Sequence, residues 1–323
     1  MISPKTSERL TDWTAAIGWR LSFATFLTPR DPVVLMYHGV PRHAEGTWLD
    51  AASFEDQIRF LKRNFEIISP LDKEIRTNSR KRVQALLTFD DGFRNNAEVA
   101  APILLRHGVP ALFFVSSRHA RAGSYLWFTY LRVLAEHFEG TGFMFRDEFM
   151  DMSHTARERT ISRLTRILLD LKPHPQAMYD AIETELPPLS DFVSPSAINE
   201  RGAGITADQL SGLSGHELFH FGAHTVDHPL LTRCDKAEAL RQILENKDWI
   251  ERATKRPCEA IAYPMQDYDG RIIELCKHLG FRHGYSVTST LNLDPAFEIP
   301  RVGVYRKSLD RLGLKVRWAS ILH

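Results

Sequence analysis

Two short strings hold the residue types best suited to chemistry. In Thr88-Phe89-Asp90-Asp91-Gly92, two carboxylates stand side by side at the end of an apolar run. Adjacent carboxylates repel each other, and the pair is unfavourable unless a cation sits beside it. Gly92 permits a tight turn that would point one carboxylate at a metal and leave the other as a base; the plainer alternative is a polar turn capping the next helix. In His224-Thr225-Val226-Asp227-His228, two imidazoles stand four residues apart. On a helical turn they would share one face and supply two ligands to one divalent ion. One Asp and two His make a set that leaves coordination positions open for water and substrate, which is what hydrolysis requires.

A rival string is His216-Glu217-Leu218-Phe219-His220, which matches the HExxH pattern of zinc proteases. That pattern works only on a continuous helix. Gly215 before it, and Phe219, Phe221 and Gly222 within and after it, read as a buried strand, which would displace the two imidazoles along the chain. His38 is set apart from the other histidines by its place at a strand end. His43, His107, His119, His137, His154, His174, His278, His283 and His323 are assigned to surface or core. The 3 cysteines, Cys234, Cys258 and Cys276, show no CxxC spacing, so metal binding falls to Asp and His.

Positioning these groups requires a scaffold, and the hydrophobic periodicity supplies one. Apolar runs at 33–37, 85–89, 111–115, 218–221, 259–263, 285–288 and 301–305 alternate with helical stretches opening at Ser53, after Asn95, and at 236–253 and 270–279. Continuously apolar strands between amphipathic helices describe a parallel sheet covered by helices, open or closed into a barrel. His38, Asp90-Asp91, His224 and Pro264-Met265 each follow a different strand. In such folds reactive side chains gather at the carboxyl ends of strands. A helical, polar stretch at 117–205, with Pro173, Pro175, Pro187, Pro188 and Pro195, interrupts the alternation and reads as an insertion on one barrel loop.

The 323 residues are 43% hydrophobic and 25% charged, with 41 Lys+Arg against 40 Asp+Glu. This excludes a disordered tail, a collagen-like repeat and a small disulfide scaffold. A net charge of +1 offers no global basic surface, so no nucleic-acid partner is expected. The stretch from Ala15 to Leu27 is apolar but carries Arg20 and no small-residue cleavage site. It reads as an amphipathic helix that docks on the domain or lies on a membrane surface through Trp13, Trp19, Phe23 and Phe26. The expectation is a cytoplasmic protein, which on the second of these readings is peripheral on the inner face of the membrane.

Together, Thr88-Phe89-Asp90-Asp91-Gly92 and His224-Thr225-Val226-Asp227-His228-Pro229 resemble the motifs of the polysaccharide deacetylase family, the NodB-homology domain of carbohydrate esterase family four. The resemblance runs from about Val33 to Tyr305. Tyr37-His38-Gly39-Val40 and Ala262-Tyr263-Pro264 resemble the branch that opens on a YHxV motif. The resemblance implies a distorted (β/α) barrel: 1–30 as an N-terminal amphipathic helix, 31–310 as the barrel with 117–205 inserted in it, and 311–323 as a C-terminal helix. It also implies metal-dependent removal of acetyl groups from an N-acetylated amino sugar in a glycan or glycan precursor. By position Asp90 resembles the catalytic base and Asp91, His224 and His228 the metal ligands, the metal being zinc, with cobalt, nickel or manganese as alternatives. His38 takes the place of a late catalytic histidine as general acid. The oxyanion contact falls to Tyr263, Pro264 and Met265, through the backbone N–H after Pro264. The family's third motif usually carries an Arg that pairs with the base; the corresponding 260–267 stretch has none, and Arg301 is assigned that place.

Two other readings use the same residues. A carbohydrate-binding pseudoenzyme would need neither a base nor an acid, and a metal-dependent hydrolase of a non-sugar amide would use the same barrel. The aromatic residues Tyr125, Trp127, Phe128 and Tyr130 open the insertion, where they would stack on sugars or, more simply, pack the insertion onto the barrel.

Overall fold

Runs such as Val33-Val34-Leu35-Met36-Tyr37 become strands without polar alternation because both of their faces are covered. The computed structural model describes residues 32–44, 49–70, 83–121, 124–288 and 291–322. The helix expected over 1–30 lies outside the described residues. Among the described residues the strands are β1 (Val33–Tyr37), β2 (Glu66–Ile67), β3 (Gln84–Phe89), β4 (Ala111–Val115), β5 (Gly142–Phe145), β6 (Glu148–Asp151), β7 (Phe219–Ala223), β8 (Ala260–Ala262), β9 (His283–Tyr285) and β10 (Arg301–Gly303). The main sheet runs β10-β1-β3-β4-β7-β8-β9, all parallel, with β2 beside β3. Its two edges meet where Tyr285 bridges Ile299 just before β10, with Ser286 N donating to Ile299 O at 2.9 Å. The result is a nearly closed barrel of 7 parallel strands wrapped by helices, the (β/α) class expected.

The two-residue period of a strand sorts its side chains between two cores. Val33, Leu35, Tyr37, Ala85, Leu87, Phe89, Phe113, Phe219 and Ile261 face the helices in the main core. Val34, Leu86, Leu112, Phe114, Ala262 and Tyr285 form a smaller cluster inside the barrel. β8 is shorter than the apolar run at 259–263, and β9 lies earlier than the run at 285–288, sharing only Tyr285 with it. Pro264 has no N–H to extend the first. Beyond Tyr285, the Thr288 N–H donates to the Gln266 side chain at 3.1 Å instead of to a neighbouring strand.

The helix Ala51–Asn64 buries Phe54, Ile58 and Leu61 at helical spacing and starts on a capping box between Asp50 and Ser53. Asp50 also accepts from Lys307 Nζ at 2.7 Å, which ties the helix start to the segment after β10. Burial would raise the Asp50 pKa, but Lys307 and Ser53 outweigh it and hold the carboxyl down to about 2. Asp50→Ala should cost about 1 kcal/mol in urea unfolding at neutral pH. The wild-type contribution is complete above the ordinary carboxylate value and fades as the pH falls towards 2, so the two proteins should converge in acid.

Between β4 and β7 the chain builds the helices Trp127–His137, Arg157–Asp170, Gln176–Thr184 and Pro195–Gly202 and the antiparallel hairpin β5-β6. They enclose a second core that includes Trp127, Tyr130, Leu134, Leu164, Leu168 and Met178. The helix Leu309–Leu322 closes the described chain and packs on β1 and on Ala51–Asn64. No described helix is long and apolar enough to cross a membrane.

Candidate active site

Strand parity assembles the site. Val34 and Met36 share a face of β1 with the next even position, His38; Leu86 and Thr88 lead to Asp90, and His220 and Gly222 lead to His224. Each reactive residue therefore continues the barrel-facing row one step past its strand, at the carboxyl end. β1 and β3 end level, with Tyr37 beside Phe89, and β4 and β7 end level, with Val115 beside Ala223; because Phe89 pairs with Phe113, the second pair ends two residues further on.

Asp90 and Asp91 are both buried, and their carboxylates have separate partners. Asp90 meets Arg301, which reaches up the barrel interior: Nη1 lies 2.6 Å from Oδ1 and Nη2 2.8 Å from Oδ2, a bidentate pair. Arg301 also donates to Ser286 O at 3.2 Å, and its guanidinium lies over the Phe114 ring. Burial would raise the Asp90 pKa, yet Arg301, then His224, hold it below the ordinary value. Asp91 takes a left-handed backbone, φ 70°, followed by Gly92 at φ 75°. A Cβ on Gly92 would come within 2.5 Å of the Val115 side chain, so only glycine fits this turn. That turn swings Asp91 off the Asp90 row towards the two histidines.

His224 Nε2 and His228 Nε2 each lie 3.5 Å from Asp91 Oδ1. The three ligand atoms lie within 4.8 Å of one another. His224 Nδ1 donates to Ala262 O at 2.8 Å, since a carbonyl only accepts, and this orients the ring so that Nε2 is the nitrogen turned to Asp91. The main chain of His224 is held by Asn246, whose Oδ1 accepts from His224 N at 3.0 Å while Nδ2 donates to Val115 O. Burial and the neighbouring His224 push the His228 pKa down to about 3, whereas Asp91 and Asp90 overcome burial to raise that of His224.

The Asp91 side chain is 5% exposed, and its ion-pair contacts are imidazole nitrogens 3.5 Å away. A buried carboxylate so placed calls for a cation. His228 Nδ1 is buried without a partner. One carboxylate and two imidazoles suit a divalent transition metal, so the residues fit such an ion.

The helical turn expected through 224–228 does not form. Thr225 and His228 are left-handed, at φ 66° and 54°, and His228 N donates to Thr225 Oγ1 at 3.1 Å. Pro229 contributes to the loss of the helix, since His228, the residue before it, is disfavoured in right-handed helix. The imidazoles converge across a folded loop instead of along a helix face. His220 of the HExxH string lies on β7 and His216 in the turn before it, so no such helix exists.

Of the residues after β8, Tyr263 turns away from the mouth: its ring is 2% exposed and stacks on Tyr268 with centroids 4.5 Å apart. The position has the parity of Ile261, so its side chain faces the helix layer. Pro264 is buried, and Met265 is 56% exposed with a left-handed φ of 54°. Trp127, Phe128 and Tyr130 pack within the insertion or against the barrel loop.

His38 lies in this cluster with its Nδ1 buried and unpartnered. The loop behind it is held by Asn95 Oδ1, which accepts from Val40 N at 2.9 Å. One neighbour escaped the sequence reading. Tyr305 stands over Gly303, where a Cβ would lie 2.6 Å from the tyrosine ring, and its ring centroid is 5.5 Å from that of His38. The signal was present in the two-residue spacing of Arg301, Gly303 and Tyr305. The ring nitrogens of buried His119 lie 2.9 Å and 3.0 Å from the carbonyl oxygens of Asp91 and Gly202; nothing in its local sequence marks that place.

The sequence profile described as polysaccharide deacetylase matches residues 77–164 and 173–284, more than half of the chain. The chain belongs to the polysaccharide deacetylase family. As a deacetylase it is an enzyme, and the family implies an acetylated polysaccharide as substrate. The matched span includes Asp90, Asp91, His224, His228 and 263–265, but neither His38 nor Arg301. No curated protein sequence matches the deacetylase. Among solved structures it resembles the Streptococcus pyogenes deacetylase PplD in complex with acetate, at 17% identity, covering 88% of this chain and 97% of that one, TM-score 0.54. IcaB from Ammonifex degensii is similar at 16% identity, 91% and 100% coverage, TM-score 0.56. The Bacillus cereus polysaccharide deacetylase BC0361 is similar at 16% identity, 88% and 69% coverage, TM-score 0.53. At such identities the likeness is one of fold.

Proposed function

We propose that the deacetylase removes the N-acetyl group from an N-acetylated amino sugar in a glycan or glycan precursor, using a divalent cation held by Asp91, His224 and His228. The observation that carries this reading is the split of the adjacent carboxylates, Asp90 on Arg301 at 2.6 Å and Asp91 between two imidazoles at 3.5 Å. Zinc is the ion assigned, with cobalt, nickel or manganese as substitutes. When bound, such an ion supplies Lewis-acid chemistry, polarising a carbonyl and acidifying water.

The protein residues supply the rest. Asp90, kept ionised by Arg301, takes the proton of the attacking water. The backbone N–H that follows Pro264 donates to the oxyanion that forms on the former acetyl carbonyl. His38 protonates the departing sugar nitrogen, so acetate and a free amine result.

The test is metal content by elemental analysis together with acetate release from a panel of N-acetylhexosamine oligomers, for wild type and Asp91→Ala. Wild type should carry close to one equivalent of metal and release acetate. Asp91→Ala should lose both, and a chelator should silence wild type until zinc is returned. Metal uptake with no acetate from any sugar would defeat the reading. Acetate from a non-sugar amide alone would move it to another amide hydrolase.

A further inference from the structure

We infer that the helical insertion between β4 and β7 is the clamp that holds His228 in its ligand position, with Trp127 and Tyr179 as positioning residues. This rests on the reading of Asp91, His224 and His228 as the ligand set.

The loop after β7 is costly to hold. Thr225 and His228 are non-glycine residues in the left-handed region, and they lie in buried backbone whose polar groups need partners. The barrel secures its first residue, through Asn246 on His224 N. The other end is secured largely from the insertion. Trp127 Nε1 donates to His228 O at 3.0 Å. Tyr179 Oη donates to Asp227 O at 2.9 Å and accepts from Trp127 N at 3.3 Å, so the two residues brace each other. Leu230 N donates to His174 Nε2 at 3.0 Å. The Phe128 ring meets the His228 imidazole edge to face at 5.0 Å.

Three backbone groups in four residues of this loop therefore end on insertion side chains. Trp127, Tyr179 and His174 bond to the main chain of the loop, and the Trp127 ring also lies beside the His228 imidazole, with centroids 6.4 Å apart. The Asp227 side chain is shared between the insertion and the barrel: Arg118 Nη1 of the insertion donates to its Oδ1 at 3.2 Å, with the guanidinium 3.5 Å from the Tyr179 ring centre, while Arg241 and Gln242 of the helix Lys236–Thr254 donate to its Oδ2 at 2.8 Å and 2.5 Å. Groups that orient a metal ligand typically change metal affinity by about 10- to 100-fold when removed.

The experiment uses the full chain, stripped of metal and titrated with zinc against a chromogenic chelator, and with cobalt followed by its visible absorption. Trp127→Phe and Tyr179→Phe should each weaken zinc binding by about 10- to 100-fold and alter the cobalt spectrum. Acetate release by these variants should recover as zinc is raised, a rescue that general loosening would not give. Leu164→Val perturbs the insertion core away from the loop and should bind zinc as wild type does. Wild-type affinity and spectrum in both aromatic variants would overturn the clamp while leaving the ligand reading intact. An equal loss in Leu164→Val would overturn it as well. A wild-type protein that takes up no metal would remove the ligand reading and the clamp together.

Discussion

Asp90→Asn should reduce acetate release by about 10²- to 10⁴-fold while the protein retains its metal, the loss expected when a positioned general base is removed. The substitution keeps the shape of the side chain and leaves Arg301 an acceptor in place of the Oδ1 it now meets at 2.6 Å, so the barrel should fold. The two neighbouring carboxylates should then separate by experiment. Asp91→Ala loses metal and activity together, whereas Asp90→Asn loses activity alone. A variant that loses metal as readily as Asp91→Ala would show that both carboxylates serve the ion, and near-wild-type acetate release would remove Asp90 from proton transfer.

Arg301→Met should have the second large effect, on stability and on pH dependence. Asp90 is buried, and taking away the guanidinium leaves a carboxylate without its bidentate partner. Breaking a buried ion pair on one side costs about 3–5 kcal/mol, measurable by urea unfolding. The pH effect has a definite sign. Burial by itself raises the Asp90 pKa, and Arg301 leads the groups that hold it down. Without Arg301 the carboxyl takes up its proton at higher pH, so the acid limb of the kcat/KM profile should move to higher pH and activity should partly return in alkali. The double variant with Asp90→Asn should be more stable than Arg301→Met alone at neutral pH, because no buried carboxylate remains unpaired. An unshifted acid limb would mean that the limb reports another group.

Much of the site was legible in the chain because strand chemistry is local. The run from Ala85 to Phe89 is apolar enough to be buried on both faces, so Asp90 had to stand at its end, and Gly92 marked the turn. The same reasoning placed His38 and His224 at strand ends. The four-residue spacing of His224 and His228 predicts a helical turn, but Pro229 disfavours right-handed helix at His228, an effect that is equally local. Tyr263 follows Ala262 by one residue, and one residue exchanges the barrel interior for the helix layer. Tyr305 shares the spacing of Arg301 and Gly303, but an aromatic residue at a strand end carries no signal that separates a site from core.

What the sequence determined alone was the succession of strands and helices, the carboxyl ends where polar residues collect, and the insertion that interrupts them. Each of these depends on the period and burial of neighbouring residues. Only the tertiary structure decided which of the polar residues meet. Arg301 reaches Asp90 because β1 separates β10 from β3 in a sheet curved into a barrel, bringing together residues far apart in the chain. Trp127 reaches the carbonyl of His228 because the insertion folds back over the loop after β7. Such meetings depend on sheet order, curvature and the packing of a second core, long-range properties that no local pattern of residues encodes.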